Sequence, residues 1–522
     1  MSETSPSIPL NTYRSLEDRR KQNDANDMRN IDRPQQLHRQ FNKRSLVGFT
    51  VTLGATWPYA IVSTPLSLAK GGPVGAIWTF VVAMIGFGAV VASLAHAASL
   101  QPYTGGPYHW VSVFARKSHQ RILSYIVGWL EIIGWVAGTA GTAYFVGYIL
   151  LGIVGLFHPT YSIHPWQGTL ACIGVTLLGV LVNHFVRAFR LLEGLVLTFS
   201  IISFFCFVII LLVLGPRKQV NETFFDFQDS QGWGSKGLAA LVGMLGPIIT
   251  LIGADSTSHL AEETRNARKI VPQAMLLSVA IGYTCGFIMT VIIMVVSTGY
   301  DEDLAAQVDH AGIAIIYNAT QSFVATKVMT IVLLFLLFQG LTNQITATSR
   351  LIWAFARDGG LPCHTWLERV SASNVPHGAI VLTFICTAIL VLFPLASTIA
   401  LNIITSFSIG GLSMAYLICI CVMMDWRFRR DDKPIPRVDE SRFLLPRWAI
   451  DMANAIAVLL FILATVMLCF PAAPNPTPTG MNWTCVLLPG TIFYALIYYY
   501  SGGGKTYVAP VARLRQVTAA SE

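Results

Sequence analysis

The stretch GADSTSHLAEETRNARKIVP, residues 253–272, decides the architecture through what surrounds it. It follows the apolar run LAALVGMLGPIITLI (238–252) and precedes QAMLLSVAIGYTCGFIMTVIIMVV (273–296). Apolar runs of about 20 residues, at ~1.5 Å per residue, cross a hydrocarbon core of ~30 Å as helices, whereas barrel strands are about half as long and alternate in polarity. Three acids, four hydroxyls and a histidine therefore stand in or beside a membrane-spanning helix, where uncompensated polarity is costly.

The rest of the chain has the same character. Of its 522 residues, 54% are hydrophobic and 12% charged, and the mean hydropathy is +0.58. Soluble, disordered and fibrous classes are excluded. The pattern predicts an all-α integral membrane protein with twelve transmembrane helices, at 45–68, 73–100, 123–150, 167–186, 190–214, 238–261, 273–298, 327–353, 378–396, 400–424, 449–470 and 483–500. Residues 1–44 read as a disordered tail and 501–522 as a second tail. The net charge of +8 does not point to nucleic acid, because thirty of the thirty-five Lys and Arg fall on one side of the alternating spans. The positive-inside rule puts that side, and both termini, in the cytoplasm. Sequons at Asn221, Asn318 and Asn482 fall on the other side. The nine cysteines lie mostly within spans and form no CxxC pair, so they read as packing residues without a disulfide framework.

Two spans are interrupted at one depth. Span 1 carries Gly54, Pro58 and Pro65, and its break at Gly54-Ala55-Thr56-Trp57 begins ten residues from Arg44, about 15 Å of helix. Span 6 runs the opposite way and carries Gly246, Pro247 and then Gly253-Ala254-Asp255-Ser256, eight to ten residues before Glu263. Helix breaks at mid-membrane depth are tolerated only where they are buried in protein or line a polar cavity. Two of them, five spans apart and inverted, point to a secondary transporter built from inverted repeats.

The segments GGPVGAIW (71–78), QPYTGGPYHW (101–110) and GADSTSHLAEETRNARKIVPQAM (253–275) together resemble the amino acid–polyamine–organocation (APC) superfamily, most closely its fungal amino acid/choline branch, which includes γ-aminobutyrate (GABA) permeases. The resemblance covers about residues 41–505. It implies a LeuT-like five-plus-five inverted repeat, 45–214 and 238–424, followed by two additional helices in 449–500. It also implies a plasma-membrane permease that takes up a small amine-bearing solute (choline, GABA or an amino acid) by proton symport and alternating access. Carriers of amino acids in this superfamily usually present a GxG-type break, and Gly54-Ala55-Thr56-Trp57 departs from it, which disfavours ordinary α-amino acids.

The backbone at Gly54, Ala55, Gly253 and Ala254 is expected to meet the solute, together with Thr56. Asp255 is the sharpest candidate among side chains, since a mid-membrane carboxylate costs about 2.5–3.5 kcal/mol unless offset. It should face the cavity, holding a substrate amine or a coupling proton; alternatively Asp255 and Ser256 cap the second half-helix. Glu131, ten residues past Arg121, is the other intramembrane acid and suits a cationic headgroup or a proton, or else a bond to a neighbouring helix. Trp57 either covers the cavity and stacks on an ammonium or is a packing aromatic. Gln339, Asn343, Thr346 and Arg350 share one face of span 8, where Asn343 is expected to line the cavity and Thr346 a gate, or both to bond between helices. Glu262 and Glu263 are expected to pair with Arg265, Arg268 and Lys269, or with the basic loops near Arg116 and Arg357, closing an inner gate, or else to lie in a solvated cytoplasmic turn. His259-Leu-Ala-Glu-Glu lacks the second histidine of a zinc motif, and no ATP-binding loop occurs, so neither metal nor cofactor is expected and the energy source is an ion gradient. An enzyme would need a nucleophile–base set, which is not seen. A nutrient sensor on the same fold is the alternative, although the 44-residue tail is short for signalling.

Overall fold

The computed structural model describes residues 36–512, except 38, 159–160, 185, 298–309, 372–373, 396–399, 430–444, 472 and 478–479. Most of the two expected tails lies outside the described residues. Among the described residues, twelve helical segments are long and apolar enough to cross a membrane. Spans 1–6 are Lys43–Ser63, Pro65–Leu100, Gln120–Phe157, Pro165–His184, Glu193–Leu214 and Lys236–Glu263. Spans 7–12 are Ala267–Val296, Phe323–Arg357, His377–Leu395, Ala400–Phe428, Arg447–Leu468 and Thr484–Ala512. A short helix, Pro107–Phe114, is buried along its whole length and packs on spans 3 and 10.

An apolar environment forces each span to satisfy its backbone internally, and helices do so. Hydroxyls within spans follow the same rule by bonding back one turn: Thr50 Oγ1 donates to the Leu46 carbonyl (2.9 Å) and Thr176 Oγ1 to that of Cys172 (2.7 Å). Leu195, Ile209 and Val213 of span 5, Leu459 of span 11 and Phe493 of span 12 point outward and are exposed, a surface stable only against lipid. Inward, small residues bring helices together. A Cβ on Gly411 of span 10 would lie 2.9 Å from the Leu130 carbonyl oxygen of span 3.

Spans 1 and 6 lie side by side and antiparallel. Thr50 faces Thr257 (Oγ1–Oγ1 2.9 Å) and Ser63 faces Thr250 (2.9 Å), so rising numbers on one helix meet falling numbers on the other, and the trend continues into the start of span 2, where Ser67 Oγ donates to the Gly243 carbonyl (2.7 Å). Both are broken. Span 1 turns at Ala55, which is left-handed at φ 38°, ψ 43°, a conformation that costs a residue with a Cβ about 1–2 kcal/mol. In span 6 the helix ending at Leu251 passes through Gly253 (φ 99°) into a 3₁₀ helix, Ala254–Glu263. A further interruption falls at Gly243–Met244, and Pro247 sits in the first turn of the helix that follows, where its missing amide costs little.

One end of the bundle, the terminal face, gathers both ends of the described chain. Phe41 pairs with Thr264, Tyr507 accepts from Arg121 through its carbonyl, and the Val508 amide donates to the Asp358 carbonyl (2.9 Å). One sequon asparagine has a structural use: Asn482 is nearly buried, and its Nδ2 donates to the carbonyls of Leu468 (2.8 Å) and Phe470 (3.3 Å) and to Ser406 Oγ (3.3 Å).

Candidate functional site

A small cavity opens between the two helix breaks. Leu53 and Gly54 border it from span 1, Ile252 and Gly253 from span 6, Gly134, Trp135, Gly138 and Thr142 from span 3, Gln344 from span 8, and Thr405, Ser408 and Leu412 from span 10. Tyr59 completes the wall; it hydrogen-bonds Thr142, whose Oγ1 also donates to Gln344 Oε1 (2.7 Å). Glycine is needed at 253 on two counts: its φ of 99° strains any side chain, and a Cβ would lie 3.2 Å from the Trp135 ring. A smaller hollow on the far side of the broken pair is bordered by Thr50, Gly54, Thr56, Gly253 and Tyr283.

The predicted backbone positions Gly54 and Gly253 thus meet the cavity, Ala55 is the bend itself, and Thr56 borders the second hollow. The side chain of Ala254 lies outside the described set. Trp57 does not cover the cavity: its Nε1 donates to Ser200 Oγ (3.0 Å) and its ring packs on Phe204 and Phe207 at 6.1 and 5.0 Å. Trp135, not singled out in the sequence, takes that place. It lies four residues past Glu131, one helical turn along the same face, and that spacing was the available signal.

Asp255 does not face the cavity either. The Gly253 bend turns it below Trp135, whose Nε1 donates to Oδ2 (3.3 Å), while the Tyr416 hydroxyl donates to Oδ1. Nor does it or Ser256 cap the half-helix, since the N-cap is Gly253 with no side-chain bond. His259 Nε2 lies 3.3 Å from Asp255 Oδ2. His259 Nδ1 is 3.0 Å from the Thr104 carbonyl oxygen, which only accepts, so Nδ1 carries a proton. His259 Nε2 makes no hydrogen bond among the described residues. Glu131 joins this group: one ligand atom each of Glu131, Asp255 and His259 lie within 4.8 Å of one another. Its Oε2 accepts from the Tyr108 amide (3.0 Å) at the start of the short helix, and its Oε1 has no hydrogen-bond partner among the described residues. Glu131 is absent from the cavity wall. With Trp135 and Tyr416 donating to Asp255, the arrangement suits holding a proton better than coordinating an ion.

The polar face of span 8 is consumed by bonds between helices. Asn343 Nδ2 donates to Thr52 Oγ1 (2.8 Å) and to Glu193 Oε2 (3.2 Å), Thr346 Oγ1 donates to Asn183 Oδ1 (2.5 Å), and Gln339 Nε2 donates to Glu193 Oε1 (3.0 Å). Asn343 is therefore not a lining residue; its neighbour Gln344 is. Glu193 is a third intramembrane acid that sequence reading missed, because it stands at the edge of the span 5 apolar run, three residues from Arg190.

On the terminal face the acids do find basic partners. Arg357 Nη2 and Nη1 donate to Glu262 at 2.7 and 3.0 Å, and Nη2 also to the Tyr103 hydroxyl (3.0 Å). Arg350 Nε donates to Glu263 Oε1 (3.1 Å). Both pairs are almost fully buried. The segment before span 1 seals them: the amides of Gln40 and Phe41 donate to the Glu263 carbonyl (2.8 and 2.9 Å), and Gln40 Nε2 donates to its carboxylate (3.1 Å). These contacts bury both ion pairs on the terminal face. Opposite, Lys70, Leu245, Ile248, Ser406 and Asn482 line a vestibule.

The sequence profile of the amino acid permease family matches residues 44–492. A Macrophomina phaseolina protein named for amino acid/polyamine transport is 29% identical, over 84% of this chain and 96% of its own. Amino-acid permease 2 of Neurospora crassa is 25% identical over 92% and 88%, and the choline transporter of Saccharomyces cerevisiae 24% over 91% and 83%. Helices broken side by side, a cavity between them and buried ion pairs on one face lie within the matched region: the chain belongs to the amino acid permease family of the APC superfamily, a multi-pass membrane transporter of amino acids or amine-bearing solutes and not an enzyme.

Proposed function

We propose that this permease imports a small amine-bearing solute by proton symport across the plasma membrane, with both termini cytoplasmic, and that choline or GABA suits it better than an ordinary α-amino acid. The observation that carries the reading is the cavity wall. Among the described residues it holds no carboxylate or cation; beside aliphatic groups such as Leu53, Ile252 and Leu412 it offers the aromatic rings of Trp135 and Tyr59, the oxygens of Thr142, Gln344, Thr405 and Ser408, and the backbone of two breaks. A quaternary or primary ammonium is attracted to an aromatic face by about 0.5–2 kcal/mol, more when desolvated. The breaks supply backbone dipoles for a carboxyl group where the solute has one. In this orientation the terminal face is the inner gate, spans 1–5 and 6–10 form the inverted repeats that rock about the site, and spans 11 and 12 stand outside them.

The acids below Trp135 supply coupling and not recognition. Asp255, His259 and Glu131 hold protons one layer from the solute, with Trp135 touching both layers, so solute binding and proton occupancy act on the same side chain. Uptake of labelled choline, GABA and amino acids into cells expressing the chain, in acidic and alkaline media with and without a protonophore, tests this. We expect saturable, protonophore-sensitive uptake of at least one, and none in Asp255→Asn despite normal surface expression. Wild-type kinetics in that variant would remove Asp255 from coupling, and no saturable uptake of any solute would favour a sensor.

A further inference from the structure

Glu193 is fully buried, yet neither the cavity nor the gate uses it. Its carboxylate ties three spans together, 2.8 Å from Thr52 Oγ1 on span 1, 3.2 Å from Asn343 Nδ2 and 3.0 Å from Gln339 Nε2 on span 8. All three partners are neutral donors, and among the described residues no cation is bonded to it; the side chains of Arg187 and Arg190 lie outside that set. The helix of span 1 is pressed onto this point: a Cβ on Gly48 would lie 2.9 Å from the Glu193 carbonyl oxygen.

The ionisable groups on the packed elements have other places. Span 1 brings Lys43 and Arg44, at its start, and Tyr59, which is bonded to Thr142. Span 8 brings Lys327, which lies over the Phe157 ring, Arg350, bound to Glu263, and Arg357, bound to Glu262. Span 7 brings Arg268 and Lys269 at its start, Cys285, and Tyr283, whose hydroxyl donates to the Leu251 carbonyl (2.7 Å). The helix Ala311–Thr320, which also packs on span 5, brings Tyr317. None of them hydrogen-bonds Glu193.

We propose that Glu193 is a proton-binding site that locks the terminal half of span 1 against spans 5 and 8 while protonated and releases it when the proton leaves. Protonation transfers one proton from water to Oε2. The new O–H donates to Thr52 Oγ1, and the Thr52 hydroxyl keeps its own proton on the Gly48 carbonyl, 2.8 Å away. The neutral carboxyl is then satisfied in a dry site. Loss of the proton to water leaves a buried charge with no counter-ion, which is costly unless water reaches it. Water reaches it when the segment Lys43–Gly54 moves away, which is the opening of the terminal face. The site shares no partner with the Asp255 group, so it is a second proton site; its use in symport rests on the reading above, whereas its effect on span 1 does not.

The test uses the full chain in nanodiscs without solute. Hydrogen exchange of the Lys43–Gly54 amides is followed from acidic to alkaline buffer and corrected for the intrinsic pH dependence of exchange. Wild type is expected to lose protection as pH rises, by about tenfold per pH unit across the titration. Glu193→Gln, a neutral stand-in for the protonated acid, is expected to stay protected throughout, and Glu193→Asp to retain a pH response. Identical pH profiles in wild type and Glu193→Gln, or a flat wild-type profile, would overturn the proposal. In proteoliposomes with labelled choline and GABA, Glu193→Gln is expected to lose accumulation driven by a pH gradient. Proton-driven accumulation in that variant would also overturn the proposal. Absence of transport in wild type would count against symport alone, since the exchange result stands by itself.

Discussion

Replacing Glu262 by Gln keeps the shape of the gate and removes one charge from it. The side chains of Glu262 and Arg357 are 1% and 3% exposed, so the variant leaves a guanidinium buried without its counter-ion. Losing one partner of a buried pair costs about 3–5 kcal/mol. Arg357 keeps the Tyr103 hydroxyl at 3.0 Å and the face of Trp353 at 4.2 Å, so the lower end applies. The penalty falls on the closed state alone, because an open gate lets water solvate Arg357. About 3 kcal/mol then shifts the closed-to-open ratio by roughly a hundredfold. Hydrogen exchange over Ala254–Glu263 reads that ratio, and protection is expected to fall by up to this factor. Pairing the change with Arg357→Met removes the orphaned charge and is expected to restore protection to within a few-fold of wild type. Unchanged exchange in Glu262→Gln, or a double variant no better protected than the single one, would refute the gate assignment.

Other expectations concern residues that share a chemical type but not a place. Trp135→Phe is expected to weaken apparent affinity for a cationic solute, by about 0.5–2 kcal/mol or up to ~30-fold in KM, whereas Trp57→Phe loses one bond to Ser200 and leaves KM unchanged; equal effects would contradict the cavity assignment. Asn482→Gln displaces an amide that makes three hydrogen bonds and is expected to lower stability by about 1–3 kcal/mol in a thermal-shift assay, with no change in glycosidase-sensitive gel mobility; a mobility shift would show that the sequon is used.

The parts legible in the sequence were those that depend on depth. Apolar run length places the twelve spans, and counting residues from Arg44 and Glu263 puts the breaks of spans 1 and 6 at one level, where Ala55 and Gly253 bend the chain. The partners of Glu262 and Glu263 followed in kind, since charge beside charge at a membrane face has few alternatives. What could not be read was azimuth. A break resets the rotational phase of a helix, so the direction of Asp255 cannot be projected from the turn before it, and a rotation of one residue, ~100°, separates Asn343 in an interhelical bond from Gln344 in the cavity wall. Trp57 and Trp135 are equally plausible platforms until that phase is known. Glu193 was overlooked because an acid at the rim of an apolar run looks like a boundary residue, and only the approach of spans 1 and 8 shows that it is enclosed.

The bend at Ala55 carries a methyl group, and that limits how the first rod can travel. Glycine there would let the two arms swivel freely through many angles. Alanine admits few conformations beyond the helical, extended and left-handed wells, so the elbow behaves as a fixed bracket and not as a bearing. A swing of the arm that precedes this joint therefore draws on Gly54, the freer residue beside it, while Ala55 keeps its shape.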